Sequence, residues 1–218
     1  MKVFVFDTET TGLPPSRHSP SMATIHKWPY VVQLSFMVYD TVTNKIVFEH
    51  DYIISLPDGV EIPEETTKIH GITNGISKNR GINIESALEI MNLCVSQCQC
   101  IVAHNIDFDL SMIDVECKRT GQANPFTSEK IYYCTMHKSK ELCNLVRQYH
   151  QPKPDGTTYV GMFVKKPTLK ELHQHLFKQT PIGLHDSMID VRVCMRCFLK
   201  IVFDITLDFT AKEVGFEK

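Results

Sequence analysis

Two carboxylates follow an apolar run near the beginning of the sequence. Residues 3–6 are Val, Phe, Val and Phe; Asp7 comes next and Glu9 two residues later, so in an extended chain both acidic side chains point to the same side. Ionised carboxylates side by side at the edge of a core repel each other and are costly to desolvate. Because no Lys or Arg lies between Lys2 and Arg17, we expect a cation from elsewhere in the fold, or a metal ion, to compensate them.

Two further acids occupy inward positions on predicted helices. Asp109 leans toward the apolar face of the helix predicted over 107–118, because it projects within about 40° of Ile113. Asp190 lies on the core stripe of the helix predicted over 186–203. Each acid alone could be an ordinary helix cap or surface charge, but four acids in such positions favour a shared site.

A histidine stands next to the last of these acids. Asp186 can cap the helix 186–203, which leaves His185 just outside it, where the imidazole could reach toward whatever Asp190 binds. Carboxylate oxygens suit Mg²⁺ or Mn²⁺ rather than zinc, and a cluster of them fits two ions that assist displacement at phosphorus. A histidine can take the proton of the attacking water. The set therefore predicts metal-assisted hydrolysis of a phosphate ester.

The elements that must position these residues form an α/β pattern. Apolar and β-branched runs predict strands, two of them joined as a hairpin by a short link, and 3.6-residue periodicity predicts helices. Together they predict a central mixed five-stranded sheet flanked by helices. The predicted strands are 3–6, 30–39, 46–55, 101–103 and 131–134, and the predicted helices are 84–97, 107–118, 135–148, 168–178 and 186–203.

Two proline-containing segments, 14–29 and 150–167, are predicted to be long loops, which in compact domains are usually functional or mobile. Four lysines in and beside the second loop could guide a single nucleic-acid strand, although charges that merely solvate a loop explain them equally well. They are Lys153, Lys165, Lys166 and Lys170.

Composition bounds the class of protein. The chain has 218 residues, 43% of them hydrophobic, which predicts one folded domain and excludes an acidic disordered protein. The net charge of -2 gives no basic footprint for nucleic acid, but it averages an acidic part, 1–129, and a basic part, 130–218. No apolar run approaches the roughly 18 residues of a membrane span, and residues 3–6 are too short for a signal peptide. We expect a soluble intracellular protein, in the cytoplasm or, in a eukaryote, the nucleus.

The sequence contains eight cysteines. Cys194 and Cys197 form a C-x-x-C pair, and Cys94, Cys98 and Cys100 cluster. Zinc is one interpretation, but no matching histidine pair follows either cluster, so we expect reduced thiols that fill the core.

Three segments resemble the exonuclease motifs of the DEDDh 3′–5′ exonucleases, the family that contains bacterial proofreading (epsilon-type) subunits. Residues 6–13, FDTETTGL, resemble the first motif; 104–109, HNIDFD, the second; and 185–190, HDSMID, the third. A sister group has a catalytic tyrosine four residues before the last aspartate, where this sequence has Asp186, so the histidine branch is indicated. Residues 69–73, IHGIT, also resemble a segment between the first two motifs.

The resemblance implies a ribonuclease H-like fold and a two-metal site. Asp7 would bridge two divalent ions, Mg²⁺ or Mn²⁺, and Glu9 and Asp190 would hold the ion on the side of the nucleophile. Asp109 would complete the site directly or through water, and His185 would deprotonate the attacking water.

The resemblance also implies a pocket for the 3′-terminal nucleotide. Thr10 would offer its backbone to the 3′-hydroxyl, and Leu13 would wedge against the last bases. His104 could either order its loop or touch the substrate, and Asp107 has no assigned role. The remaining pocket residues would be Ile69, His70, Asn105 and Phe108, although His70 could also be an ordinary surface histidine.

The leading hypothesis is a 3′–5′ exonuclease domain, 1–203, with a C-terminal tail, 204–218, acting on single-stranded or frayed DNA and releasing nucleoside 5′-monophosphates. The first rival is a 3′–5′ exoribonuclease or oligoribonuclease, because both chemistries use the same ions. The second is a non-catalytic module that binds 3′ ends or docks on a polymerase. The expected partner is nucleic acid with a free 3′ end, preferably single-stranded DNA; a DNA polymerase is a further candidate, and no membrane is expected.

Overall fold

The computed structural model describes residues 1–15, 19–153 and 156–217. Its centre is a five-stranded mixed sheet, as the sequence predicts. The strands are β1 Lys2–Thr10, β2 Val31–Asp40, β3 Lys45–Ile53, β4 Cys100–Ala103 and β5 Ile131–Cys134, and their order in the sheet is β3-β2-β1-β4-β5.

Helices cover both faces of this sheet. In the described part of the chain, two two-stranded sheets lie outside it. The helices are α1 Glu64–His70, α2 Asn74–Arg80, α3 Ile84–Ser96, α4 Ile106–Thr120, α5 Thr135–Lys138, α6 Lys140–Cys143, α7 Leu169–Phe177 and α8 Ser187–Phe203. The strands of the two-stranded sheets are β6 Leu145–Pro152 and β7 Thr158–Lys165 in one, and β8 Thr180–Ile182 and β9 Gly215–Glu217 in the other.

Strand β1 is buried on both faces, which explains its continuous apolar run. Phe4 and Phe6 pack in one core cluster with side chains of α3 and α4, whereas Val3 and Val5 pack in a second cluster with side chains of α8. All four side chains are at most 1% exposed. The alternation of side chains along β1 therefore assigns α4 to one face of the strand and α8 to the other.

All eight cysteines are free and buried, so the expectation of core thiols is confirmed. Burial raises the pKa of Cys98 and of Cys100 to about 11, which keeps these thiols protonated and poor metal ligands.

Two sequence predictions after residue 134 are wrong. The predicted helix 135–148 ends at Cys143, because Asn144 adopts a left-handed backbone with φ 44°. The predicted loop 150–167 is largely strand: β6 and β7 pair antiparallel from Leu145 opposite Lys165 outward. The predicted loop 14–29 contains one turn of 3₁₀ helix, Ile25–Lys27; residues 16–18 and 154–155 lie outside the described residues.

The segment after α8 folds back onto the domain. Strand β9 pairs antiparallel with β8, placing Phe216 opposite Pro181. The Phe216 ring lies 5.0 Å from the ring of His173 at an angle of 7°, and the Arg196 guanidinium lies 4.7 Å from the Phe216 ring centroid. Within the described residues, no helix is both long and apolar enough to cross a membrane.

Candidate active site

Strand β1 extends past the end of its parallel neighbour β4. The pairing of β1 with β4 ends at Val5 opposite Val102, whereas its pairing with β2 continues to Thr10 opposite Val31. The last residues of β1, which carry both of its acids, are therefore not accompanied by β4. This gap beyond the end of β4 is where the other candidate residues gather.

The two faces of β1 receive acids from different helices. Asp7 and Glu9 share the α8 side of the strand, and Asp190 projects from the first turn of α8. Asp109 comes from α4, where the main-chain N–H and the hydroxyl of Thr8 donate to its Oδ1 at 3.0 and 2.8 Å. Sequence reasoning does not identify Thr8, although its position between two acids on one strand is a usable signal.

Three of the predicted residues can share one cation. A carboxylate oxygen of Glu9, one of Asp190 and a ring nitrogen of His185 all lie within 4.8 Å of one another. Asp7 lines the same cleft as His185 and Asp190. Among the described residues, no ion pair within 4.0 Å joins Asp7, Glu9, Asp109 or Asp190 to a Lys or Arg. Hard oxygen donors without a protein cation fit a divalent metal ion.

Burial and mutual repulsion raise the pKa of every carboxyl group in this cluster. Desolvation, with repulsion from Asp186 in addition, raises the pKa of Asp7 to about 7. Desolvation and the charges of Asp7 and Asp190 raise the pKa of Glu9 to about 9, and burial followed by repulsion from Asp7 raises the pKa of Asp190 to about 8. The pKa of Asp109, which is 2% exposed, is likewise raised, chiefly by burial. Such shifts are characteristic of functional carboxylates.

The start of α8 fixes the third motif against the first. The side chain of Asp186 accepts hydrogen bonds from the main-chain N–H groups of Met188 and Ile189, which confirms it as the cap of α8. His185 has a left-handed backbone with φ 74°, and its main-chain N–H donates to Oδ2 of Asp190 at 2.9 Å. The strained backbone of His185 leaves its imidazole exposed beside the carboxylate of Asp190.

A buried polar network behind the cluster is not identified by sequence reasoning. The main-chain N–H of Ser187 donates to Oε1 of Gln33 (3.2 Å), and Nε2 of Gln33 donates to Oδ1 of Asp51 (2.9 Å). The hydroxyl of Ser35 donates to the same oxygen of Asp51 at 2.7 Å. Gln33 pairs with Glu9 in the β1–β2 register. The signal in the sequence is two polar residues at inward positions of an otherwise apolar strand.

A cleft of about 750 Å³ opens beside these residues. One wall contains Asp7, His185 and Asp190, and the segment Lys166–Lys170 and strand β8 contribute other walls. The cleft is large enough for part of a nucleic-acid strand, and its acidic and basic sides face a common space.

The Exonuclease family model (RNase_T) matches residues 4–198. This chain belongs to the exonuclease family. The motif resemblance is thereby confirmed. No curated protein sequence matches the chain.

Solved structures of exonuclease I have the same fold as this exonuclease-family chain. Escherichia coli exonuclease I in complex with a dA16 oligonucleotide matches with a TM-score of 0.63 and 16% identity over 92% of this chain and 41% of that chain. Exonuclease I from Methylocaldum szegediense matches with a TM-score of 0.66 and 16% identity over 93% and 41%. This chain thus spans about two fifths of the length of those proteins. The likeness shows the ribonuclease H-like fold that the resemblance implies.

Two predicted pocket residues of this exonuclease-family chain are exposed apolar side chains. Leu13 is 84% exposed and Ile69 is 55% exposed. Thr10 is buried at the end of β1, and its hydroxyl donates to the main-chain carbonyl of Gly12 at 2.7 Å. Leu13 and Ile69 therefore have free apolar surface that a base could cover.

The structure places His70 near the cluster rather than on the far surface. Burial lowers the pKa of His70, a contact with the Thr10 main chain opposes this shift, and the nearby His185 adds to it. The main-chain N–H of Ile72 donates to Nδ1 of His70 at 3.1 Å. The hydrogen bond from Ile72 orients the ring, and the effects on its pKa indicate that it lies near Thr10 and His185.

The second motif divides into exposed and internal residues. Asn105 is exposed, has a left-handed backbone with φ 72° and precedes α4, while Phe108 is half-buried against the core. Both ring nitrogens of His104 are bonded within the protein, to Oγ1 of Thr135 (2.9 Å) and to the carbonyl of Pro167 (3.2 Å). His104 therefore orders its loop. Asp107 lies exposed in the first turn of α4.

The four lysines considered for strand guidance have different environments. Lys165 forms an ion pair with Glu171. Nζ of Lys166 lies 2.7 Å from Nε2 of His137, and both Lys166 and Lys170 line the cleft. Lys153 is exposed, and its Nζ lies 5.9 Å from the ring centroid of Tyr159. The charge of Lys165 is thus already compensated, whereas no ion pair to an acid joins the other three among the described residues.

Proposed function

We propose that this chain is a 3′–5′ exonuclease that hydrolyses the terminal phosphodiester bond of single-stranded or frayed DNA and releases nucleoside 5′-monophosphates. One observation carries the proposal: Glu9, His185 and Asp190 offer ligand atoms within 4.8 Å of one another in a chain of the exonuclease family. The preference for DNA is supported by the exonuclease I structures of the same fold, which were determined with dA16 and dT13 oligonucleotides.

The carboxylates would hold two divalent cations, Mg²⁺ or Mn²⁺. Asp7, Glu9 and Asp190 would supply oxygen ligands from the α8 side of β1, and Asp109 would complete the set from the α4 side. When bound, such ions lower the pKa of a water molecule and stabilise charge that develops on the phosphate. Burial without a protein cation raises the pKa values of Asp7, Glu9 and Asp190. A bound divalent cation would lower them again, because it favours the ionised carboxylates.

His185 would accept the proton of the attacking water at a ring nitrogen. The bond between its main-chain N–H and Asp190 fixes the residue in its left-handed conformation, so the exposed ring stays beside Glu9 and Asp190. An imidazole is the side chain most often used as a general base in hydrolysis. Removing the ring should therefore lower the rate of hydrolysis more than the affinity for substrate.

The 3′-terminal nucleotide would bind near Leu13, which follows β1, and Ile69, which lies in α1. Their exposed apolar surfaces would contact the last bases, and the main chain at Thr10 would bind the 3′-hydroxyl. Asn105 and Phe108 at the start of α4, with His70, would complete the pocket.

The test is cleavage of 5′-labelled single-stranded DNA and RNA of the same sequence with Mg²⁺ or Mn²⁺. We expect a ladder that shortens from the 3′ end, that EDTA abolishes and that is lost in Asp7→Ala and His185→Ala. Asp109→Asn should also lose activity, whereas its matched control Asp107→Asn, an exposed acid in the same helical turn, should keep it.

Three outcomes would contradict parts of the proposal. Faster loss of RNA than of DNA would favour the exoribonuclease. Tight binding of 3′ ends without shortening of either substrate would favour a non-catalytic module. Full activity of His185→Ala at neutral pH would exclude this histidine as the general base.

A further inference from the structure

The β6–β7 hairpin projects from the body of the protein as a two-stranded ribbon. Every described residue of β6 beyond Leu145 is exposed, and most of β7 is exposed as well. Its base is tied to the domain, where Leu145 packs on the second core cluster and Lys165 pairs with Glu171. A two-stranded ribbon that leaves both faces in water buries little apolar surface, so its exposed side chains need another explanation.

One face of the hairpin carries three aromatic rings in a row. The antiparallel register places Tyr149, Tyr159 and Phe163 on the same side, together with Arg147. The ring centroid of Tyr149 lies 6.1 Å from that of Tyr159 and 6.0 Å from that of Phe163. We call Tyr149, Tyr159 and Phe163 the aromatic face.

The ring faces on this ribbon are accessible. The two ring pairs are inclined by 60° and 59°, so neighbouring rings do not cover each other by parallel stacking. The three side chains are 40%, 47% and 47% exposed, in chain order. Tyr149 lies over Gly161, where a Cβ atom would come within 2.5 Å of the ring, so the absence of a side chain there seats the central ring. Accessible rings with tolerance for any base are the usual platform for single strands.

The charge of the hairpin complements a phosphate backbone. Residues 145–167 contain four Lys and Arg residues against one acid, Asp155, and of the four, Lys165 pairs with Glu171 outside this segment. Arg147 is exposed on the aromatic face, and the ammonium group of Lys153 lies over the Tyr159 ring near the outer end of the hairpin. Basic groups that alternate with aromatic rings favour nucleic acid over an apolar protein partner.

The hairpin is continuous with the candidate active site. Strand β7 ends at Lys165, and the next residues, Lys166 to Lys170, line the cleft that also contains Asp7, His185 and Asp190. The base of the hairpin is therefore joined to the cleft by a short segment that carries two lysines, Lys166 and Lys170.

We propose that the aromatic face binds the portion of a single-stranded DNA substrate that lies on the 5′ side of the cleaved bond. Bases stack on Tyr149, Tyr159 and Phe163, and Arg147 and Lys153 contact phosphates. This inference rests on the proposed exonuclease function for the direction of the strand. The opposite face of the ribbon presents Val146, Val160 and Met162 together with His150, and no Tyr or Phe, and it does not take part.

The test compares two triple variants on the same two strands. Tyr149→Ala/Tyr159→Ala/Phe163→Ala removes the rings, and Val146→Ala/Val160→Ala/Met162→Ala truncates the opposite face as a matched control. Binding of a long fluorescent single-stranded oligonucleotide is measured by anisotropy in EDTA, which prevents cleavage. We expect the Kd of the ring variant to rise on the order of tenfold or more, and that of the control to stay at the parent value.

Two further variants guard against a ring variant that merely misfolds the hairpin. Tyr149→Phe/Tyr159→Phe keeps the rings and should bind as the parent does. Arg147→Gln/Lys153→Gln should lower the slope of log Kd against log salt by about one for each phosphate contact removed.

A substrate that cannot reach the hairpin separates this inference from the proposed function. The p-nitrophenyl ester of thymidine 5′-monophosphate occupies only the catalytic centre, so its hydrolysis with Mn²⁺ should persist in the ring variant. Failure of the parent to hydrolyse both ester and strand would overturn the exonuclease proposal while leaving the binding result intact. The inference would be overturned if the ring variant bound the strand with parental affinity, or if both triple variants were weakened equally. In that case, a protein that binds the parent but not the ring variant would identify the rings as a protein-binding surface.

Discussion

The hydroxyl of Ser187 donates a 2.7 Å hydrogen bond to the main-chain carbonyl of Asp7, across 180 positions of sequence. Ser187 is the first residue of α8 and is fully buried. The bond joins the helix that carries Asp190 directly to the strand that carries Asp7. The distance between two candidate metal-binding carboxylates is thus set by a residue that itself needs no contact with metal or substrate.

Ser187→Ala should disturb this spacing. Loss of a buried hydrogen bond costs about 1 kcal/mol of stability, and a displacement of the start of α8 should lower kcat by about tenfold or more while KM changes little. Urea unfolding and steady-state kinetics measure the two effects. Ser111→Ala is the control, because that hydroxyl also donates to a main-chain carbonyl, at 2.7 Å, but on the exposed side of α4. Equal kinetics in both variants would exclude a positioning role for Ser187.

Thr8→Val should weaken the site from its other side. The substitution keeps the shape of the side chain but leaves Asp109 with only the main-chain donor of Thr8, at a cost of about 1–3 kcal/mol for a buried carboxylate. We expect lower kcat and a higher Mg²⁺ concentration for half-maximal rate. Thr66→Val removes a comparable surface bond to the carbonyl of Pro63 and should leave the Mg²⁺ requirement at the parent value.

Glu9→Gln should separate two effects of Glu9: its destabilisation of the metal-free fold and its contribution to Mg²⁺ binding. In EDTA the variant should melt at a higher temperature than the parent near neutral pH. Burial and the neighbouring acids raise the pKa of Glu9 to about 9, so the parent must take up a proton to bury this side chain, whereas glutamine is neutral in both states. Added Mg²⁺ should raise the Tm of the parent, because binding stabilises the folded state by about 2.7 kcal/mol at a concentration 100 times Kd. The Tm of the variant should rise less. Glu65→Gln, an exposed acid of α1, is the control. Identical Mg²⁺ shifts in parent and Glu9→Gln would argue against Glu9 as a ligand.

The pH dependence of stability should report on His173, which lies outside the active site. Its ring is fully buried, donates from Nδ1 to the carbonyl of Gln179 and accepts from Arg196 at Nε2. Burial lowers its pKa to about 4, against about 6.5 in the unfolded chain. Between these values the unfolded chain takes up a proton that the folded protein does not, so this contribution falls as the pH falls from about 6.5 to about 4.

The measurement compares the parent with His173→Gln by urea unfolding across that window. Both proteins contain the same carboxylate cluster, so the difference between their unfolding free energies isolates the histidine. The stability advantage of the parent should shrink as the pH falls. A difference that stays constant with pH would show that His173 is not held neutral by the fold.

Several features were predictable because their causes are local. The double-sided apolar run 3–6 indicates a strand buried between two layers, and Asp186 immediately before a helical pattern indicates a cap; the structure has both. The types and spacing of Asp7, Glu9, Asp109, His185 and Asp190 were sufficient to identify a candidate site before any contact was known.

The tertiary structure alone decided which residues stand behind that site. The sequence indicates that Gln33 and Thr8 are inward and polar, but their partners, Ser187 and Asp109, are more than 100 residues away and depend on strand order and register. The β6–β7 hairpin was missed because a ribbon exposed on both faces has no need to alternate apolar and polar residues, so the pattern that reveals a half-buried strand is absent. Neighbouring residues determine which chemical groups are present, whereas the geometry of the site forms only when distant segments of the chain pack together.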